Sequence, residues 1–225
     1  MKTIVRERYL ERIKALKDTP DIKIITGIRR SGKSNLMQAY INYLKSEFKD
    51  VNIIFIDFMD LEFEEIKEYH ALHKYVEDRY DKEKQNYLFV DEVQLCPNFE
   101  LAINSLYSKN KYDIYITGSN AFLLSADLAT LFTGRYIEIH MFPFSFKEYC
   151  EYYSDQADKD KLFEEYFIKG GLAGSYAYNT DLDRTTYIKE VYETIVNRDL
   201  VQKYKLPDTQ VLRQLSEFLM DNISN

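Results

Sequence analysis

Short apolar runs alternate along this chain with stretches in which apolar residues return every three or four positions. The runs are Ile22-Lys23-Ile24-Ile25-Thr26, Val51 to Phe58, Tyr87 to Val90, Ile114 to Thr117 and Tyr136 to Ile139. Their β-branched and aromatic side chains, with few polar interruptions, predict strands buried on both faces. Helical periodicity is carried by residues 4–17, with Val5, Tyr9, Leu10, Ile13 and Leu16 on one face. It returns at Leu36, Met37, Tyr40, Ile41 and Leu44, in the charged stretch 62–84, and over Glu100 to Tyr107 and Phe122 to Leu131. Strands alternating with helices predict an α/β fold, a parallel sheet covered on both faces.

After Pro143 the pattern is helical only. Ser145-Phe146-Lys147-Glu148 is a capping box, in which the Ser side chain caps the first turn and the Glu reaches back. Gly170-Gly171 ends the helix running through Leu162 and Ile168. Asp183 starts another, whose buried face is expected to be Tyr187, Ile188, Val191, Tyr192 and Ile195. A last amphipathic helix runs from about Thr209 with Val211, Leu212, Leu215, Phe218 and Leu219. Nothing follows that stripe to fold over it, so the chain reads as a fragment of a longer protein. The expected organisation is an α/β core over 1–143, a helical unit over 144–205, and the start of a further region over 206–225.

Composition narrows the class. The 225 residues are 45% hydrophobic and 30% charged, as in a globular protein with a substantial core. A formal charge of −7 and a pI near 5.2 argue against electrostatic wrapping of nucleic acid. Cys96 and Cys150 have neither the number nor the spacing for a disulfide framework or a zinc site. No run of 18 apolar residues is present, and Met1 to Arg6 lacks a signal-peptide core. The expected compartment is the cytoplasm, with no membrane partner.

The most informative segment is Gly27-Ile28-Arg29-Arg30-Ser31-Gly32-Lys33-Ser34, followed by Asn35. It places Gly, Gly, Lys and Ser where a phosphate-binding loop requires them, between a predicted strand and a predicted helix. The glycines let successive amide N–H groups converge on phosphate oxygens. Lys33 would carry its ammonium to the β- and γ-phosphates of ATP, and the Ser34 hydroxyl would ligate Mg²⁺. The helix N-terminus faces the same phosphates.

A second element completes such a site. Tyr87-Leu88-Phe89-Val90-Asp91-Glu92 is an apolar run ending in two carboxylates, at the strand end where open α/β sheets bind ligands. Asp91 would hold Mg²⁺ through water, and Glu92 would orient or deprotonate the water attacking the γ-phosphate. The run Ile114 to Thr117 ends in Gly118-Ser119-Asn120, and either Ser119 or Asn120 could sense the γ-phosphate. Arg135, before the fifth run, could reach a γ-phosphate in a neighbouring subunit, or pair with a surface carboxylate.

Two patterns mislead. Asn110-Lys111-Tyr112-Asp113 matches a guanine-reading signature, yet it precedes its strand, at the opposite end of the sheet from a nucleotide base. His70 and His73, three apart on a charged stretch, have no further ligand nearby and read as a solvated face. The 20 tyrosines are spread along the chain and suggest no stacking platform.

Taken in order, Gly27 to Ser34, Asp91-Glu92-Val93-Gln94, Thr117 to Asn120, Gly134-Arg135, Pro143 to Glu148, Gly170-Gly171 and Arg198-Asp199-Leu200 resemble the archaeal-type AAA+ ATPases of bacteria and archaea. The resemblance covers nearly the whole chain. It implies a P-loop NTPase core of AAA+ type, with a five-stranded parallel sheet in the order 5-1-4-3-2 and a small all-helical lid. It further implies MgATP as ligand, ATP hydrolysis, assembly into a homo-oligomer, and Arg198 either as a lid-borne phosphate sensor or, equally, as the partner of Asp199 or Glu193 in a helix salt bridge. In the family a winged-helix element and a nuclease-like region usually follow, so contact with nucleic acid is expected only beyond residues 206–225. One departure is that Leu172-Ala173 follows the glycine pair, where the family often has an aromatic or aliphatic residue and then Pro, which is expected to loosen that turn.

Two rivals share parts of this reading. A nucleotide-controlled switch that hydrolyses slowly would use the same residues. A small-molecule kinase would need basic lid residues clustered near the γ-phosphate, whereas Arg184, Lys189 and Arg198 are widely spaced.

Overall fold

A computed structural model describes residues 4–119, 125–153, 158–201, 204 and 209–223. Its strands are β1 (Ile22–Gly27), β2 (Val51–Asp57), β3 (Gln85–Asp91), β4 (Tyr112–Thr117) and β5 (Tyr136–Met141). They form one parallel sheet in the order β2-β3-β4-β1-β5, the expected order read from the other edge. Registers such as Ile24 opposite Ile116 and Val90 opposite Ile116 bring the C-terminal ends of β1, β4 and β3 to one edge.

The apolar runs conceal a period of two. Ile22, Ile24, Ile54, Ile56, Leu88, Val90, Ile114 and Ile116 point to one face, and pack with residues of α3 (Tyr69–Glu77), α4 (Phe99–Ser108) and α5 (Ser125–Phe132). Ile25, Tyr87, Phe89 and Tyr115 point to the other, against α1 (Glu7–Ala15) and α2 (Lys33–Glu47). Helices on both faces of a parallel sheet follow from these two apolar surfaces.

Several expected boundaries shift. The first helix is Glu7–Ala15 rather than 4–17. The charged stretch holds a 3₁₀ segment, Leu61–Ile66, capped by Asp60, and then α3, capped by the Glu68 carboxylate. Two competing caps, Asp60 and Glu68, divide what the charge pattern made continuous.

After β5 come α6 (Phe146–Tyr153), α7 (Lys159–Lys169), α8 (Asp181–Thr194) and α9 (Thr209–Asp221). α8 begins at Asp181 rather than Asp183, because the Thr180 hydroxyl accepts from the Asp183 N–H. Of its expected buried face only Val191 is fully covered, and the helix passes into a π-helical turn over Ile195–Val201. The expected loose turn after the glycine pair is a 3₁₀ segment, Ala173–Ala177, closed by the Ser175 N–H on the Leu172 carbonyl. The tyrosines do gather here. Tyr149 and Tyr176 are buried with Tyr152, Tyr153, Tyr166, Phe144 and Phe146 around them, a second core contributed by separate segments.

Candidate functional site

β1 delivers the chain to Gly27 at the sheet's C-terminal edge, and α2 leaves from Gly32, so the intervening residues must turn within a very small space. A Cβ on Gly27 would lie 2.4 Å from the Met141 carbonyl oxygen and 2.7 Å from Ser31 Oγ, so no other residue fits. Arg30 and Gly32 both have positive φ, +66° and +97°, which curls the backbone ahead of the helix. Lys33 is buried, and its ammonium donates to the carbonyls of Gly27 (3.1 Å) and Ile28 (3.2 Å). Ser34 and Asn35 are exposed at the start of α2.

On the same edge, two strands away, β3 ends at Asp91, which is buried. The Thr117 hydroxyl, at the end of the intervening β4, donates to Asp91 Oδ1 and accepts from the Glu92 N–H at 3.1 Å. Glu92 adopts a left-handed conformation (φ +52°), and the Gln94 amide donates to its carboxylate. Asp57, opposite Asp91 on β2, has its carboxyl raised above the usual range, first by burial and also by the Asp91 charge. Ser119, just beyond β4, is buried, and its hydroxyl has no hydrogen-bond partner among the described residues; the same holds for Ser31 in the loop.

A cavity of about 540 Å³ is lined by the loop and by Glu92. Arg29 to Asn35 line it together with Glu92 and Met59. Ile4, Val5, Leu36 and Ala39 give it an apolar flank, and Ala173, Gly174 and Tyr187 close it from the helices after β5. β1, β3 and β4 end on one edge of the sheet, which carries the loop, Asp91-Glu92 and Ser119.

Other candidates fall elsewhere. Arg135 is exposed at the start of β5, the end remote from Gly27, where its guanidinium lies 5.9 Å from the Tyr107 ring. β5 rises about 3.3 Å per residue from there to Met141 beside Gly27, which puts Arg135 roughly 20 Å from its own loop. Asn120 and the side chain of Arg198 lie outside the described residues. Tyr112 and Asp113 of the guanine-like motif belong to β4 itself; Asp113 is buried and paired with Lys23. His73 Nε2 is 3.1 Å from the Ser105 hydroxyl. Arg184 is turned back onto Asp181 and the carbonyls of Tyr178 and Asn179.

Sequence reasoning missed Thr117 as a ligand of Asp91, although a Thr closing an apolar strand beside an acidic one was a usable signal. It also missed Arg6, whose guanidinium is buried between the loop and α6. An Arg before an amphipathic helix carries no such signal.

A sequence model for the family described as "AAA domain" matches residues 19–150. An uncharacterized protein of Haemophilus influenzae is 34% identical over 98% of the chain and 56% of its own length. One of Methanocaldococcus jannaschii is 27% identical over 91% of the chain and 47% of its own. The chain thus spans about half the length of these relatives. Among solved structures, the S. cerevisiae Hsp104-ADP complex superposes with a TM-score of 0.51 at 14% identity, over 74% of this chain and 25% of that one, which speaks for the fold alone.

Proposed function

The chain belongs to the AAA-domain family, and from that premise we propose that it is a MgATP-binding, ATP-hydrolysing module. The observation that supports this most is one cavity lined both by Arg29 to Asn35 and by Glu92.

The residues present fit the ligand. The Gly27 cradle admits no side chain, the Ser31 and Ser119 hydroxyls are buried with bonds to make, and the oxygen donors Ser34 and Asp91 suit a hard cation. In this reading Gly27 through Ser34, with Asn35, bind the triphosphate, and Lys33 exchanges its two loop carbonyls for phosphate oxygens. Ser34, and Asp91 through water, would hold Mg²⁺, which would supply charge neutralisation at the phosphates. Thr117 holds the Asp91 carboxylate in place, since its hydroxyl donates to one of the two oxygens. Glu92 receives the proton of the attacking water, with Gln94 limiting the rotation of its carboxylate. Ser119 or Asn120 senses the γ-phosphate. The helices over 144–205 act as a lid, and 206–225 lead into whatever activity the module drives.

The position of Arg135 favours a second reading beside this one. It stands too far from its own loop to assist, so a lone chain would bind ATP and hydrolyse it slowly, as a switch does. Steady-state hydrolysis over about a hundredfold range of protein concentration separates the two. Specific activity rising with concentration, and abolished in Arg135→Ala, supports sites completed between subunits; flat, low turnover supports the switch. Glu92→Gln should bind MgATP and not turn it over, and full activity in that variant removes Glu92 from the mechanism.

A further inference from the structure

Arg6, the residue immediately before α1, has its side chain almost wholly buried, and all three of its guanidinium nitrogens are hydrogen-bonded. Nε and Nη2 grip the two oxygens of Glu148 on α6, at 2.6 and 2.9 Å. Nη1 donates to the Ser31 carbonyl at 3.0 Å and to the Phe142 carbonyl at 2.7 Å, and Nη2 reaches the Pro143 carbonyl at 3.3 Å. The rings of Tyr9 and Phe144 stand 4.5 and 5.2 Å from the guanidinium carbon. One planar cation therefore touches the phosphate loop, the exit from β5 and the first helix of the lid.

The Ser31 contact has a consequence for the loop. The peptide bond is planar, so the Ser31 carbonyl and the Gly32 N–H lie in one plane and point in opposite directions. Holding the carbonyl fixes the direction in which the Gly32 amide is presented. Gly32, whose N–H belongs to that peptide, has positive φ, and so has Arg30 two residues earlier, so the chain curls on both sides of Ser31.

The Glu148 contact has a consequence for the lid. The same carboxylate caps α6, accepting from the Ser145 N–H and hydroxyl at 2.8 Å each. Burial pushes the Glu148 carboxyl up, but the hydrogen bonds from Arg6 and Ser145 leave it below its ordinary value. The hinge beside it is tight. The Phe144 N–H donates to the Gly171 carbonyl at 2.7 Å, and a Cβ on Gly171 would lie 2.4 Å from the Phe144 oxygen. The start of α6 cannot move without the segment around Gly171.

We propose that Arg6 is a positioning residue that sets the Ser31–Gly32 peptide for phosphate and ties that peptide, through Glu148, to the orientation of the lid. This rests on the nucleotide-binding reading above. Rotation of the Ser31–Gly32 peptide toward bound phosphate pulls on the guanidinium, and the fork on Glu148 carries the pull to α6. Lys at this position keeps the charge and loses the planar fork, so its donors, all on one atom, cannot span Glu148 and the loop carbonyl together.

The test uses spin labels on Leu101→Cys in α4 and Phe167→Cys in α7, both exposed, while native Cys96 and Cys150 are buried. The inter-label distance is measured with and without a non-hydrolysable MgATP analogue. Affinity is measured on the same samples. The expected result is a nucleotide-dependent distance shift in the parent that is lost in Arg6→Lys and in Glu148→Gln, with affinity retained within about tenfold. Glu148→Gln keeps an acceptor for the Ser145 cap, so it tests the lid connection even if Arg6→Lys fails to fold. A shift of parental size in the variants overturns the proposal, as does a parent that binds nucleotide with no shift. A parent that binds no nucleotide removes the functional reading itself, and this inference with it.

Discussion

Asp113→Asn is the substitution whose effect the structure constrains most tightly. Asp113 is buried at the start of β4 and accepts three hydrogen bonds, from Lys23 Nζ at 2.6 Å, the Asp18 N–H at 2.9 Å and the Tyr115 hydroxyl at 2.9 Å. Burial raises its carboxyl above the usual range against the opposing pull of Lys23, as expected where ionisation is costly without its partner. Lys23 is fully covered and otherwise donates only to the Thr19 carbonyl among the bonds described. In the variant, the amide can accept from Lys23 or from Asp18, but its NH₂ must then face a donor. The lysine charge is left buried with no counter-charge, which costs about 3–5 kcal/mol. For a chain of this size that lowers the melting temperature by roughly 6–20 °C, at 2–4 °C per kcal/mol. Adding Lys23→Met removes the stranded charge, and the double variant should return to within about 2 kcal/mol of the parent. Urea unfolding with an unchanged m-value is the assay. A single-variant loss below about 1 kcal/mol, or a double variant as weak as the two losses summed, refutes the reasoning. MgATP affinity should not change in folded Asp113→Asn, since the residue lies at the far end of the sheet; a large loss of affinity would revive the guanine-like motif as a nucleotide contact.

Thr117→Val is nearly isosteric and removes the hydroxyl shared by Asp91 and the Glu92 amide. Losing a hydrogen bond to a charged group costs about 1.5–3 kcal/mol, so kcat/KM for ATP should fall roughly 10- to 150-fold; parental turnover would show that the bond has no part in hydrolysis. Burial pushes the Cys96 thiol up to about 11 from 9.0, so at pH 8 it stays protonated inside the fold. Iodoacetamide should modify the Cys96 peptide only after denaturation, and prompt native labelling read by mass spectrometry would contradict the burial. Because the folded value is the higher one, the thiol's contribution to stability is whole below pH 9 and falls away as pH rises from 9 toward 11.

Much of this fold is legible in the chain because strand runs and loop residues obey local rules. The run Ile22 to Thr26 is a strand wherever it is placed, and Gly27 and Gly32 announce the loop between it and a helix. The acidic pair was readable for the same reason, since an apolar run ending in Asp91-Glu92 needs no tertiary information. Thr117 was harder, because its role depends on β4 lying between β1 and β3, a non-local pairing. Arg6 and Glu148 are separated by more than half the chain, and only the three-dimensional path from α1 past the loop to α6 brings them together. The tyrosine core after β5 was hidden likewise, its rings coming from α6, α7 and the 3₁₀ segment. Boundaries failed where two caps competed, as at Asp60 and Glu68, or where the first-turn acids obscured the true cap, Thr180.

The loop from Gly27 to Ser34 is proposed to bind the phosphates of MgATP. Calorimetric titration of MgATP into the parent chain and into Lys33→Ala tests it directly, with thermal unfolding confirming that both are folded. Saturable binding by the parent that is abolished in Lys33→Ala is the predicted result. Equal affinity in the two proteins, or no binding by a folded parent, would contradict it.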